Sequence, residues 1–131
     1  MHDRLAQNLY ISPPYLSQVA ALAAFDAGEE LEAVKAGYAK NRDLLLAELP
    51  RLGLTEMHPA DGAFYIYADV ARFTNDSVGF CKRLLDEAGV AVTPGVDFDP
   101  AGGTHYLRLS FAGSEADCRE GVRRLGGFLK R

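Results

Sequence analysis

The stretch His105-Tyr106-Leu107-Arg108-Leu109-Ser110-Phe111-Ala112 alternates with the period of a β-strand. Leu107, Leu109 and Phe111 fall on one face; Tyr106, Arg108 and Ser110 fall on the other. A strand with one continuous apolar face has to be covered on that face by another layer. Its second face then carries an arginine between two hydroxyl-bearing side chains. Arginine is rarely buried without a partner, and its planar fork matches a carboxylate through two parallel hydrogen bonds. Two readings stand on spacing alone: a solvated arginine on the wet face of an antiparallel sheet, or an anion-binding arginine.

The rest of the chain supplies the covering layer. Leu9-Tyr10-Ile11-Ser12 runs into Pro13-Pro14, a pair that blocks helix and ladder alike and predicts an extended connector. Ser17 is a candidate cap for a helix over 18–25 whose residues are nearly all small or apolar. Such a helix expects burial on several sides, so a partner surface is expected there. Gly28 breaks it, and 29–52 reads as a long amphipathic helix with Leu31, Val34, Tyr38, Leu45, Leu49 and Leu52 in its stripe and Gly53 as its stop. Asp61-Gly62 is a turn, and 63–70 alternates as a strand with Phe64, Ile66, Ala68 and Val70 on one face and Tyr65, Tyr67 and Asp69 on the other. Asn75 or Asp76 can cap a helix over 77–88 closed by Gly89. A short strand over 90–93 enters a turn-rich loop from Pro94 to Gly103. After the Arg108 strand, Ser114 and Asp117 are spaced as a capping box for a last helix with Cys118, Val122, Leu125 and Leu129 on one stripe. The expected fold class is therefore α/β (α+β): two N-terminal helices followed by a β-α-β-β-α two-layer sandwich.

Several function classes drop out. The chain has 131 residues, enough for one real core, and a net charge of −4 with its 14 basic residues scattered, which is no nucleic-acid footprint. No apolar run is long enough to span a bilayer. The start, Met1-His2-Asp3-Arg4, has no signal-peptide core, so a cytoplasmic location is expected. Cys81 and Cys118 lack CxxC spacing and read as reduced packing thiols, and His2, His58 and His105 form no ligand cluster. Asp97 and Asp99 lack the further ligands of a calcium loop. Asp69 and its neighbouring tyrosines read as solvated or hydrogen-bonded groups rather than as acid–base catalysts.

Four segments, in order and at sensible spacing, resemble the C-terminal part of class I/II aminotransferases, the pyridoxal-phosphate enzymes of fold type I. They are Ser12 to Phe25, Gly62-Ala63-Phe64-Tyr65, Gly89-Val90-Ala91-Val92-Thr93-Pro94-Gly95-Val96-Asp97-Phe98, and Tyr106 to Ala112. The resemblance implies a small domain of aminotransferase type over 29–131, led by a long connecting helix, with 1–28 as a connector and remnant of a large domain. It also implies that Arg108 binds the substrate α-carboxylate. Phe64 or Tyr65 would form an aromatic wall, and the Pro94-to-Phe98 loop would close over the substrate side. Gly95 serves there either as a turn residue, where glycine adopts geometry closed to others, or with Phe98 as a pocket contact. Gln7, Asn8 and Ser12 match a segment that reaches a neighbouring subunit's site in some members. All three are neutral here, which disfavours a strict dicarboxylate substrate.

The resemblance further implies an amino acid or 2-oxo acid as the carboxylate partner, a homodimer, and pyridoxal 5'-phosphate in the parent enzyme. That chemistry needs a Schiff-base lysine. Lys35, Lys40, Lys82 and Lys130 all fall on the polar sides of predicted helices, and none has the family's serine-lysine context. The chain is thus expected to be a C-terminal fragment with no catalytic or cofactor-binding residue of its own, inactive alone. Its apolar helix over 18–25 would be covered by a second copy or left as an exposed patch. Other readings remain open: a free-standing, non-catalytic small-molecule-binding or dimerisation module, a lyase of the same fold, or the effector part of an aminotransferase-like transcription regulator.

Overall fold

The computed structural model describes Arg4 and residues 6–130. It divides into two compact units, Met1–Lys35 and Ala36–Arg131.

In the first unit a single π-type turn, Ala6–Tyr10, precedes the prolines, and helix α1 runs over Tyr15–Ala24. It starts two residues before the expected Ser17 cap. Pro14 takes the cap position, with extended backbone and no side-chain hydrogen bond. Proline loses nothing here, because the first turn of a helix leaves its N–H groups unpaired in any case. Pro14 C=O accepts from Gln18 N–H at 3.1 Å, and Pro13 C=O from the Gln18 side chain at 2.7 Å. No residue of α1 is buried. Leu16 and Leu22 are 79% and 73% exposed, and Phe25 beyond the helix end 87%, an apolar surface without cover. The two-unit division falls inside helix α2, Gly28–Glu48. Leu31 and Val34, expected in its buried stripe, are exposed; burial on this helix begins only at Tyr38, where the covering layer starts.

The second unit holds the core. After α2 a 3-10 turn, Leu49–Leu52, ends at Gly53, whose φ of 93° is the left-handed stop that glycine takes at least cost. Strand β1 is Tyr65–Asp69, helix α3 Ser77–Ala88, strand β2 Thr93–Pro94, strand β3 Tyr106–Ser110 and helix α4 Glu115–Leu129. This is the expected β-α-β-β-α order. The sheet order is β1-β3-β2, antiparallel throughout, with β3 in the centre. The second strand is shorter than expected. Its pairing is confined to Thr93 and Pro94, and proline, having no N–H, cannot extend the ladder; Val90 and Val92 pack partly buried against the core instead.

Ile66, Ala68 and Val70 meet Leu107, Leu109 and Phe111 on the covered face, against Leu45, Leu49, Phe80, Leu84, Leu125 and Phe128 from the helices. Phe80 and Phe128 meet edge to face at 5.3 Å. Cys118, Val122 and Leu129, expected in the buried stripe of the last helix, are only partly buried, and Phe128 takes the deeper position. The helix starts are as the sequence suggests. Asp76 accepts from Gly79 N–H at 3.0 Å, Gly89 closes α3 at φ 64°, and Ser114 Oγ accepts from Asp117 N–H while donating to its carboxylate at 2.7 Å. Asn41 of α2 is buried, and its amide donates to Phe111 C=O and Gly113 C=O at 3.1 and 2.9 Å. Among the described residues no helix is long and apolar enough to cross a membrane.

Candidate functional site

The face of the sheet opposite the core carries the candidate site. Directly across the ladder, Arg108 pairs with Tyr67 on β1 and with Thr93 on β2, so these three residues form one row. Residues opposite one another in a ladder project to the same side. Tyr65 lies two residues before Tyr67 and shares that side. The Arg108 guanidinium stands 5.4 Å from the Tyr65 ring centre and 4.7 Å from that of Phe98, within the reach of cation–π attraction. Its Nε is buried and has no hydrogen-bond partner. Among the described residues no carboxylate forms an ion pair with it. A half-buried guanidinium beside two rings, with a donor unused, has the hydrogen-bonding capacity to take a planar anion.

The cleft beside it has a volume of about 430 Å³ and is lined by Arg108, Tyr65, Tyr67, Phe98, Asp99, His58, Pro59, Gly62 and Ala63. Ala63 sits at φ 58°, an uncommon conformation for a residue with a side chain. Of the sequence-predicted set, Arg108, Tyr65 and Phe98 therefore come together. Phe64 does not line this cleft: it lies just before the first ladder pair, 49% exposed, with its ring edge-on to Tyr65 at 6.1 Å. Its backbone carbonyl accepts from Phe111 N–H at 2.8 Å.

Gly95 is needed for a reason other than the turn geometry expected. Its φ is not in the left-handed region, where the glycines are Gly53 and Gly89. The constraint is a close approach of two backbone segments. A Cβ on Gly95 would stand 2.5 Å from Gly103 O, 2.7 Å from Tyr106 Cβ and 2.7 Å from Tyr67 Oη. Gly103 is as tight, because its Cβ would collide with the carbonyl of Gly95 and with Val96 N. This contact folds the loop back on itself. Phe98 N–H and Asp99 N–H both donate to Gly95 C=O at 2.9 Å, Gly103 N–H to Asp99 C=O at 2.8 Å, and the buried Ser77 hydroxyl to Gly103 C=O at 3.0 Å.

Tyr67 ties this loop to the sheet. Its ring stacks on Tyr106 at 4.8 Å with a 5° interplanar angle and meets Phe98 edge-on at 6.4 Å, and its hydroxyl donates to Gly95 C=O at 3.4 Å. Burial, then the Asp99 charge, then Tyr106 push the Tyr67 phenol above its ordinary range, so it stays a neutral donor. Tyr67, Asp99, His58 and Gly103 were not singled out for the site by sequence. For Tyr67 the signal was present, since the alternation that faces Tyr65 toward Arg108 faces Tyr67 there too.

Lys35, Lys40, Lys82 and Lys130 are all exposed, and none lines the cleft. Among the described residues the cleft lining therefore offers no lysine amine for a Schiff base with pyridoxal phosphate. Cys81 and Cys118 are free thiols on α3 and α4. Burial, with Asp97 and Asp76 nearby, pushes the Cys81 thiol up to about 11. Neither cysteine lines the cleft.

A family model described as aminotransferase class I and II matches residues 3–125. The chain is 50% identical over 129 residues to a valine–pyruvate aminotransferase of Mycobacterium tuberculosis, covering 97% of this chain and 33% of that protein. It is 35% identical to an aspartate aminotransferase of Sulfurisphaera tokodaii, covering 95% and 32%. Among solved structures, an aminotransferase from Mycobacterium tuberculosis superposes with a TM-score of 0.90 at 50% identity, over 98% of this chain and 34% of that one. A structure described as a putative aminotransferase from Silicibacter pomeroyi gives 0.90 at 52%, over 98% and 35%. The chain thus spans about a third of the length of the curated relatives it matches.

Proposed function

The chain belongs to the class I and II aminotransferase family, matching the C-terminal part of such enzymes, and from that premise we propose that it carries the substrate-carboxylate site of an amino-group transfer between an amino acid and a 2-oxo acid. One observation carries the proposal: Arg108, with an unpartnered buried Nε, is held between Tyr65 and Phe98 on the wall of the cleft. A carboxylate placed there receives two parallel N–H donors, which fixes the plane of the acid as well as its position. The rings on either side hold the guanidinium in one orientation, so little side-chain freedom is lost when the acid binds. Tyr67 and the Gly95–Gly103 contact keep Phe98 in place from behind.

The chemistry of amino-group transfer comes from pyridoxal phosphate, which the family uses in the intact enzyme. This chain's part is to bind, orient and partly desolvate the acid end of the substrate. We propose further that by itself it does not transaminate, a reading supported by the absence of any lysine from the cleft lining among the described residues. A second copy of the chain covers the exposed apolar side chains of α1, Leu16, Val19 and Leu22.

Titration of the purified chain with pyruvate tests the carboxylate site. Arg108→Lys keeps the charge but loses the fork and the ring contacts, and a loss of about tenfold in affinity is expected. Unchanged affinity overturns the assignment. Borohydride reduction in the presence of pyridoxal phosphate, read by peptide mapping, tests the second statement; stoichiometric labelling of one lysine refutes it.

A further inference from the structure

A second charged group stands in the cleft, and its placement bears on which acids the cleft admits. Asp99 lines the same cavity as Arg108. Its position is fixed at both ends. One carboxylate oxygen accepts from Ala101 N–H and Gly102 N–H, each at 3.0 Å, and its backbone N–H and C=O are bound to Gly95 and Gly103. Among the described residues no lysine, arginine or histidine pairs with it. Its charge is thus not taken up by a direct ion pair, and it is felt inside the cleft, where it is one of the causes, after burial, of the upward shift of the Tyr67 phenol. Besides Arg108 and Asp99, the cleft presents the rings of Tyr65, Tyr67 and Phe98 and the imidazole of His58, and among the described residues no second arginine or lysine lines it.

Resting on the carboxylate-binding reading of Arg108, we propose that Asp99 makes this cleft selective for acids with a single carboxylate. The substrate class is then amino acids and 2-oxo acids whose side chains are uncharged or cationic. With one carboxylate on Arg108, an apolar substituent gains contact with the rings. A second carboxylate meets those same rings and a like charge, and the described cleft lining holds no second arginine or lysine to offset the water it loses. Asp99 is an exposed residue, so the repulsion is screened by salt and its size is modest.

The test compares butyrate with succinate, which replaces one terminal methyl by a second carboxylate. Binding is followed through the Arg108 Nε–H resonance of the full chain at low ionic strength and about pH 8. Butyrate is expected to bind about fivefold more tightly than succinate, after allowance for the two equivalent ends of succinate. Asp99→Asn retains the side-chain oxygen that caps Ala101 and Gly102 and removes only the charge; it is expected to abolish the preference. In the unmodified chain, about 1 M sodium chloride is expected to shrink the preference too, which a purely steric cause would not do. If both acids bind equally, or if Asp99→Asn leaves the ratio unchanged while Arg108→Lys weakens both acids, the role of Asp99 is refuted and the carboxylate site stands. If neither acid moves the Arg108 resonance, the carboxylate site itself fails and the selectivity falls with it.

Discussion

Replacing Asn41 probes how the strand that carries Arg108 is held at its far end. Asn41 is 2% exposed, and its amide nitrogen is the donor for two carbonyls some seventy residues away, at 3.1 and 2.9 Å. The Phe111 carbonyl belongs to a buried residue and would be orphaned by Asn41→Ala, at a cost of about 1–3 kcal/mol. The Gly113 carbonyl belongs to an exposed residue, where water substitutes at well under about 1 kcal/mol. The vacated volume adds about 1 kcal/mol. Against these stands a relief: Asn41 Oδ1 is buried without a partner, and alanine removes that penalty. The net loss is about 2 kcal/mol, a fall of about 1 M in the urea midpoint followed by far-ultraviolet circular dichroism. Asn41→Asp is the sharper variant. It sets carboxyl oxygens against two carbonyl oxygens, and ionisation there is strongly disfavoured, so the new carboxyl titrates in the folded state well above its unfolded value of about 3.9. A raised folded pKa means that the neutral acid, which can donate one hydrogen bond, limits the damage at low pH, and the deficit grows as pH rises through the folded value. The loss relative to the unmodified chain should be about 4 kcal/mol at about pH 8 and smaller by at least about 1 kcal/mol at about pH 5. An Asn41→Ala variant within about 0.5 kcal/mol of the parent, or an Asn41→Asp deficit that does not change with pH, refutes the reasoning.

The Gly95–Gly103 contact makes a graded prediction. Gly103→Ala drives a methyl group into backbone and should cost at least about 2 kcal/mol, whereas Gly102→Ala meets a side-chain atom, the Asp99 carboxylate oxygen at 2.7 Å, and should cost less; thermal melts of the two variants rank them. The same Gly103→Ala substitution should weaken pyruvate binding by displacing Phe98, and normal binding would mean that the loop does not position the ring. Cys81, with its thiol pushed up to about 11, should resist iodoacetamide at about pH 8 until the chain unfolds. Because its folded value lies above the unfolded one, its contribution is complete below about pH 9 and disappears as pH rises to about 11; comparison with Cys81→Ala over that interval isolates a slope worth on the order of 2 kcal/mol.

The fold of residues 36–131 was legible where the physics is local. Asp76, Gly89, Ser114 with Asp117, and Gly53 each act on backbone groups within a few residues, and each marks its boundary in the structure. Period-2 alternation placed Ile66, Ala68, Val70, Leu107, Leu109 and Phe111 on the covered faces. Local signals misled where a neighbour decides. Leu31 and Val34 continue the apolar period of α2, yet period alone does not say how far the covering layer extends. Ser17 is a good cap by type, but Pro14 upstream starts the helix first. Asn41 interrupts an apolar stripe, and only the distant carbonyls of Phe111 and Gly113 explain it.

The site divides along the same line. Arg108 drew notice because a mid-strand guanidinium demands an explanation that composition cannot supply. What stands opposite it is set by register: alternation puts Tyr65 and Tyr67 on one side of β1, but that 67 rather than 65 pairs with 108 is a long-range fact. Asp99 and Gly103 belong to a loop whose shape depends on two glycines eight residues apart touching through their backbones. Loop composition announces a turn, not which segments close on each other. A cleft of this kind is therefore legible in its anchor and illegible in its selectivity. The anchor sits on a strand, where alternation fixes the face. The groups that discriminate between acids ride on a loop, which can change its charges without disturbing the sheet beneath. For this chain the consequence is specific: the carboxylate grip should be insensitive to substitution in 96–102 so long as Phe98 and the Gly95–Gly103 contact survive, while the preference among acids should follow the charge at position 99.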